Sequence, residues 1–384
     1  MLKRWTLFAF AAALFLVSFF VINLRYDKFY RINGINNDNQ AIIETYLSED
    51  DQNYLIENQI PITNLINYMS VEDFDIHNYE YYELLIQSGR YDSYSELVAT
   101  GNALEEKAKA SFSSGVMKRV TYIVNNALET GFINEEDFNY GNRVIYAAMV
   151  SLYSDTSYVE TGNEYVKLMR ARGMNASQVG EFFTTACQYY NASSLAVLMD
   201  AADDKSIRLI ANPSELSLTL NDTEYIGSYV PSGLVLIQDV HRLKYAMYMV
   251  DDAYDALLDM KEAMGDTLGE ELVVRHAYTS FNEIMADNEN DAGHSEYQLG
   301  TLLAFQKLDT GYSDFAETDV SEWLQKNAWK YGYVLRYQSG HASESGHAAS
   351  ANIYRYVGKE IAKDMHDGNL TLEAWNKQEK EGVS

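Results

Sequence analysis

An α+β fold is predicted for the second half of this 384-residue chain, behind a mainly helical first half and an N-terminal transmembrane helix. Three observations predict it. After about Ser206, short runs of β-branched and aromatic residues alternate apolar with polar side chains, as half-buried strands do. Stretches with apolar residues three and four apart lie between them, as in amphipathic helices. Strands and helices do not alternate strictly, which favours α+β.

Composition bounds the function. Apolar residues make up 47% of the chain, enough for real cores, and the net charge is −27. Such a surface repels nucleic acid phosphates and anionic headgroups, so a nucleic-acid partner is excluded. The acidity suits a soluble body outside a membrane, or a partner of positive charge. Cys187 is the only cysteine, which excludes intrachain disulfides and thiolate clusters.

In chain order, Lys3 and Arg4 precede an uncharged apolar run from about Trp5 to Asn23, close to the length that spans a hydrocarbon core. The small residues Ala11, Ala12 and Ala13 lie inside the run rather than behind it, so an uncleaved anchor is expected in place of a cleaved signal. Basic residues flank both ends and leave the orientation open. An Asn- and Asp-rich entry follows from about Asn33 to Asp50. From about Tyr46 to Asp203 the pattern is helical, with Gly89, Gly101, Gly131 and Gly173 at expected helix ends. Thr100-Gly101-Asn102 recurs as Thr161-Gly162-Asn163, a hint of repeated helical hairpins. In the second half, strands are expected near Ile207–Ile210, Leu216–Leu220, Glu271–Arg275, Tyr333–Tyr337 and Ile353–Val357. Helices are expected over about Arg242–Met264, broken by Gly265 and Gly269, and over Val320–Ala328. The expected division is an anchor with flanks (1–31), a helical extracytoplasmic region (32–205), the α+β domain (206–376) and a tail (377–384).

Several strings in the α+β region carry a family resemblance. They are Tyr229-Val230-Pro231, Ala253-Tyr254-Asp255-Ala256-Leu257 with Met260, and Val273-Val274 before Tyr278 and Ser280. Gly293-His294-Ser295-Glu296 follows with Gln298 and Gly300, then Trp323-Leu324, Tyr331-Gly332-Tyr333 through Tyr337, and Tyr354-Arg355-Tyr356-Val357-Gly358. In order and spacing, this set resembles the VanY-type D-alanyl-D-alanine carboxypeptidases, over roughly Ile207 to Trp375. The resemblance implies a zinc peptidase with two histidines and an aspartate on the metal, a glutamate base, and an arginine for the substrate carboxylate. It also places the body outside the cell membrane, on a single-pass anchor.

Position by position, this sequence departs from that set. The ligand positions are Tyr297, Ala304 and Ile353, the base position is Ser350, and the arginine position is Thr279. Alanine and isoleucine have no donor atoms, and a phenol is a poor substitute for imidazole on zinc. Without metal or base, nothing lowers the pKa of a water or stabilises an oxyanion. No catalytic residue and no cofactor is therefore expected, and Tyr278, Ser280, Ser295, Gln298, Tyr354 and Arg355 are the residues expected along a remaining pocket. The expected function is a non-catalytic, wall-facing protein binding peptidoglycan peptide or a protein partner. Two alternatives stand beside it. One is an active metallocarboxypeptidase with zinc relocated to His294, His341 and His347 with Glu296 or Glu344. The other is a pure interaction scaffold.

Overall fold

The computed structural model describes residues 2–382 apart from positions 27, 30 and 311. The chain forms two compact units, Met1–Arg143 and Val144–Ser384. The first contains α1 (Leu2–Tyr26), α2 (Asn37–Tyr46), α3 (Glu49–Glu57), α4 (Tyr79–Ser88), α5 (Tyr94–Ser111), α6 (Val116–Asn125) and α7 (Glu129–Asn134). Helix α1 is 25 residues long. Its described side chains, 5–21, are exposed, Phe8 to 77%. Among the described residues, no helix is long and apolar enough to cross a membrane.

A side-chain clasp closes the hairpin of α4 and α5. The Tyr82 ring lies so close to Gly101 that a Cβ there would sit 2.5 Å from its Cε1. The Tyr82 hydroxyl donates to Asn102 Oδ1 at 2.5 Å, and Asn78 Nδ2 donates to the same oxygen at 2.9 Å. The second unit opens with the same device, built on α8 (Arg143–Met149) and α9 (Tyr158–Ala171). Tyr146 packs on Gly162 and donates to Asn163 Oδ1 at 2.6 Å. The two Thr-Gly-Asn strings thus mark hairpins locked in the same way. Helices α10 (Ala176–Ala186) and α11 (Ala192–Asp200) follow, each started by an asparagine capping box, Asn175 with Gln178 and Asn191 with Ser194.

The mixed region carries nine strands among the described residues: β1 (Arg208–Leu209), β2 (Glu224–Tyr225), β3 (Leu234–Leu236), β4 (His241–Arg242), β5 (Tyr248–Val250), β6 (Leu272–His276), β7 (Leu302–Lys307), β8 (Tyr333–Tyr337) and β9 (Ser350–Tyr356). Five of them form one sheet in the order β4-β6-β7-β9-β8, with only β4 and β6 parallel. Helices α12 (Asp251–Glu271), α13 (Phe281–Asp287), α14 (Asp319–Asn327), α15 (Ala342–Ser345), α16 (Lys359–Gly368) and α17 (Leu372–Gly382) complete the unit. The core puts α12, through Ala253, Leu257 and Met260, with Val274, Leu303, Phe305 and Tyr354 of the sheet. Because strand side chains alternate, Ala304 and Ile353 belong to the opposite face. That face carries the candidate site.

Four expectations need correction. Gly101 and Gly131, expected at helix ends, are buried inside α5 and α7. The long helix begins at Asp251, not Arg242, because Met249 and Val250 are claimed by a ladder with Leu234 and Val235 of β3. Gly265 does break it, at φ 78° and ψ 168°, a backbone region open to glycine and strained for other residues. Gly269 does not; it is buried inside the resumed helix. The expected strand at Leu216–Leu220 is irregular, because the carbonyls of Leu216 and Leu218 accept hydrogen bonds from Arg355 rather than from a neighbouring strand.

Candidate functional site

The positions singled out from the resemblance meet on one part of the sheet. Ala304 pairs with Ile353 across β7 and β9, and on its other side with His276 of β6. The His276 ring lies 4.3 Å from that of Tyr297, edge to face, and His276 Nε2 is 2.8 Å from Thr279 Oγ1. Thr279 N–H donates to the Tyr297 carbonyl at 3.2 Å. Four of the five family positions are thus brought together. Ser350 is not among them: it pairs with Tyr337 of β8, and its hydroxyl is 2.6 Å from Asn352 Oδ1.

Beside this cluster opens a cavity of about 210 Å³, lined by His276, Thr279, Ser295 and Tyr297 and by Glu283, Asp287 and Asp291. Ser280 caps α13, donating from both its amide and its hydroxyl to Glu283. These hydrogen bonds hold the Glu283 carboxyl below its ordinary range. Burial, assisted by the Lys244 and Arg275 charges, lowers the pKa of His276, so its imidazole is neutral at neutral pH. The Thr279 hydroxyl already donates its one proton to the Ala277 carbonyl at 3.1 Å. The donor in the bond between Thr279 and His276 is set by the imidazole tautomer.

A zinc held as in the family would need donors at 297, 304 and 353, and the residues present do not fit it. Two present hydrocarbon to each other across the ladder, and the third presents a phenol turned to a histidine ring. Among the described residues, no group of three or more His, Cys, Asp or Glu side chains could hold a metal ion. The histidines considered for a relocated site are otherwise engaged. His294 Nδ1 lies 2.7 Å from the Glu224 carbonyl, His341 is 3.1 Å from Glu344, and the His347 ring packs at a tilt against Tyr337.

Glu296 and Arg355 belong to a buried charge network. Arg336 reaches Glu296 twice, at 2.7 and 2.8 Å, and Arg355 reaches it at 2.7 Å. Glu373 holds the other edge of Arg336 at 2.6 Å. Burial alone would raise the Glu296 pKa, but the two guanidinium charges pull it down to about 2. The network fixes the short 3₁₀ turn Glu296–Leu299 and with it Tyr297.

Of the residues expected along a pocket, Ser295 lines the cavity. The others need correction. Ser280 is occupied as a helix cap, and Tyr278 donates its amide to the Tyr248 carbonyl. Gln298 is fully buried and donates to the Gly227 and Tyr229 carbonyls. Tyr354 and Arg355 are buried in core and network. His276 was missed, although it stands in the same string as Thr279. The acidic side chains were missed too, although Glu283 and Asp287 at i and i+4 share one face of a helix.

Comparison with known proteins finds similarity to one family. The VanY D-alanyl-D-alanine carboxypeptidase family profile matches residues 248–359. YodJ of Bacillus subtilis (strain 168), a protein named as a carboxypeptidase, is 30% identical over 217 residues, which cover 50% of this chain and 76% of YodJ. A D-alanyl-D-alanine carboxypeptidase of Enterococcus faecium is 31% identical over 95 residues, covering 25% of this chain and 30% of its own. Among solved structures, the LdcB LD-carboxypeptidase, described for peptidoglycan recognition, is 29% identical, with a TM-score of 0.40 over 44% of this chain and 88% of its own. The chain belongs to the family of VanY D-alanyl-D-alanine carboxypeptidases.

Proposed function

We propose that this chain is a membrane-anchored, non-catalytic member of its family that binds peptidoglycan peptide outside the cell. The pairing of Ala304 with Ile353, at the place where the family holds its metal, carries the proposal. Around it the scaffold persists while the donors, the base and the carboxylate-binding arginine do not. The cavity beside it is rimmed by Glu283, Asp287 and Asp291 and lacks an arginine. Its charge suits an amine of the peptide rather than the terminal carboxylate. The anchor is supported by the apolar run Trp5–Asn23 and by the exposed side chains of α1, which at 25 residues is about 37 Å long. The described side chains of α1 stop at Val21, short of the run's end.

The purified full chain, given Zn²⁺ and a D-Ala-D-Ala peptide, should release no D-alanine. It should bind a lysine-containing stem peptide, and bind the Nε-acetylated peptide more weakly. Metal-dependent release of D-alanine would overturn the non-catalytic reading, and equal binding of both peptides would overturn the amine preference. Deleting residues 2–26 should move the protein from the membrane to the soluble fraction.

A further inference from the structure

We propose that the free edge of β8 receives an extended, uncharged segment of a partner protein, which joins the sheet as a further strand and sets an apolar side chain into the recess beside it. β8 ends the sheet order β4-β6-β7-β9-β8, two strands away from Ala304. Two hydrogen bonds show which of its groups are spare. Val357 N–H donates to the Gly332 carbonyl at 2.9 Å, whereas Tyr356 N–H turns the other way, to the Thr301 carbonyl at 2.9 Å. In an antiparallel ladder, alternate residues exchange bonds with a given neighbour. With Val334 opposite Arg355 and Leu335 opposite Tyr354, Val334 bonds to β9, and the N–H and C=O of Leu335 point away from it. Among the described residues, neither of these Leu335 groups has a hydrogen-bond partner. Leu335 is half-buried where the other four residues of β8 are buried, so it is the open place on this edge.

Leu335 borders a recess of about 350 Å³, whose other walls include the apolar Leu324, Trp329, Met365 and Leu370 and the uncharged polar Gln338 and Asn369. No Asp, Glu, Lys or Arg lines it, so a charged side chain would give up water there without meeting a counter-charge. The occupant follows from this chemistry. A spare N–H and C=O on one extended residue are matched by the backbone of another extended chain, and an adjoining apolar recess takes one of its side chains. Sheet edges are commonly guarded by lysine or proline. β8 has neither, and its one charged residue, Arg336, is turned inward to Glu296 and Glu373. A bulge between Leu335 and Tyr337 keeps the free stretch short, so the side chain in the recess must supply much of the affinity.

The test uses the peptide acetyl-Ser-Thr-Leu-Thr-Ser-amide and the full chain, followed by NMR titration and amide hydrogen exchange. Without peptide, the Leu335 amide should exchange faster than that of Val334, and saturating peptide should slow it roughly tenfold. Replacing the peptide's leucine with glycine should weaken binding about tenfold or more, the scale of one buried leucine side chain. N-methylation of the peptide at its leucine, and separately at the threonine that follows, should act unequally, because successive N–H groups of a strand face opposite sides. One should weaken binding about fivefold, the scale of one neutral hydrogen bond, and the other by less than about twofold. Leu335→Pro removes the spare donor, leaves the bonds to β9 in place, and should abolish binding, with circular dichroism as the folding control. The peptide changes leave the protein untouched, so they decide the matter if the proline variant does not fold. The proposal is overturned by the absence of saturable binding, by unchanged Leu335 exchange on binding, by equal loss from the two N-methylations, or by full binding in a folded Leu335→Pro protein. Slow exchange at Leu335 without peptide, slower still at higher protein concentration, would mean that a second copy already covers the edge, which also overturns it.

Discussion

Replacing Glu296 with glutamine should destabilise the second unit more than any other single change in the charge network. Glu296 is 3% exposed and, among the described residues, is the one acidic partner of Arg355, which also donates to the Leu216 and Leu218 carbonyls. Removing one member of a buried ion pair typically costs about 3–5 kcal/mol, because the other charge stays buried. A second route gives a similar figure. The Glu296 pKa falls from 4.5 to about 2, and at about 1.4 kcal/mol per unit this amounts to ~3 kcal/mol of stability at neutral pH. Because the folded value lies below the ordinary one, that stability is fully present above pH 4.5 and is lost as the pH falls towards 2. Urea unfolding at pH 7 should therefore show a loss of about 3 kcal/mol for Glu296→Gln, and the two proteins should converge in acid. Glu373→Gln, whose parent side chain is 21% exposed and which leaves Arg336 on Glu296, should lose about 1 kcal/mol. A loss below about 1 kcal/mol for Glu296→Gln, or a gap that persists unchanged at pH 2.5, would refute the reasoning.

Other outcomes follow from the same geometry. Gly101→Ala forces a methyl into the Tyr82 ring and should destabilise the first unit by about 1–3 kcal/mol in thermal unfolding. Gly162→Ala should cost less in the second unit, where the nearest Tyr146 ring atom is 3.1 Å from the added Cβ. The triple change Tyr297→His, Ala304→Asp, Ile353→His should take up zinc near one equivalent by elemental analysis, where wild type takes up none; no gain in the triple variant would refute the assignment of these positions. His276 should titrate by NMR below the ordinary 6.5. Its neutral form contributes stability that is complete above pH 6.5 and lost as the pH falls through the lowered value.

Much of this was legible in residue order. Of the two strands that bring Ala304 and Ile353 together, β9 was read from its alternation, whereas β7 was not, because Leu302 to Phe305 are buried on both faces and do not alternate. The Thr-Gly-Asn repeat was legible as a recurring string, but its place inside a helix was not, because Gly101 reads as a helix end until the Tyr82 ring packed on it is seen. What escaped was non-local. The start of α12 depended on Val250 pairing with Leu234, which no periodicity reveals. The irregular path at Leu216–Leu220 depended on a guanidinium more than 130 residues away. Gln298, Tyr354 and Arg355 look like site residues in a linear string, but all three are buried: Gln298 bonds two carbonyls from its turn, Tyr354 packs in the α12 core and Arg355 is held by Glu296.

The network around Glu296 has one more consequence. In a metalloenzyme, an ion can act as the pin that gathers loop and strands, so that chelation loosens the fold. Here that pin is made of the chain's own permanent charges, with Arg336 and Arg355 reaching in from two strands. On the zinc-free reading proposed above, a chelator should leave the melting temperature of this domain where it was.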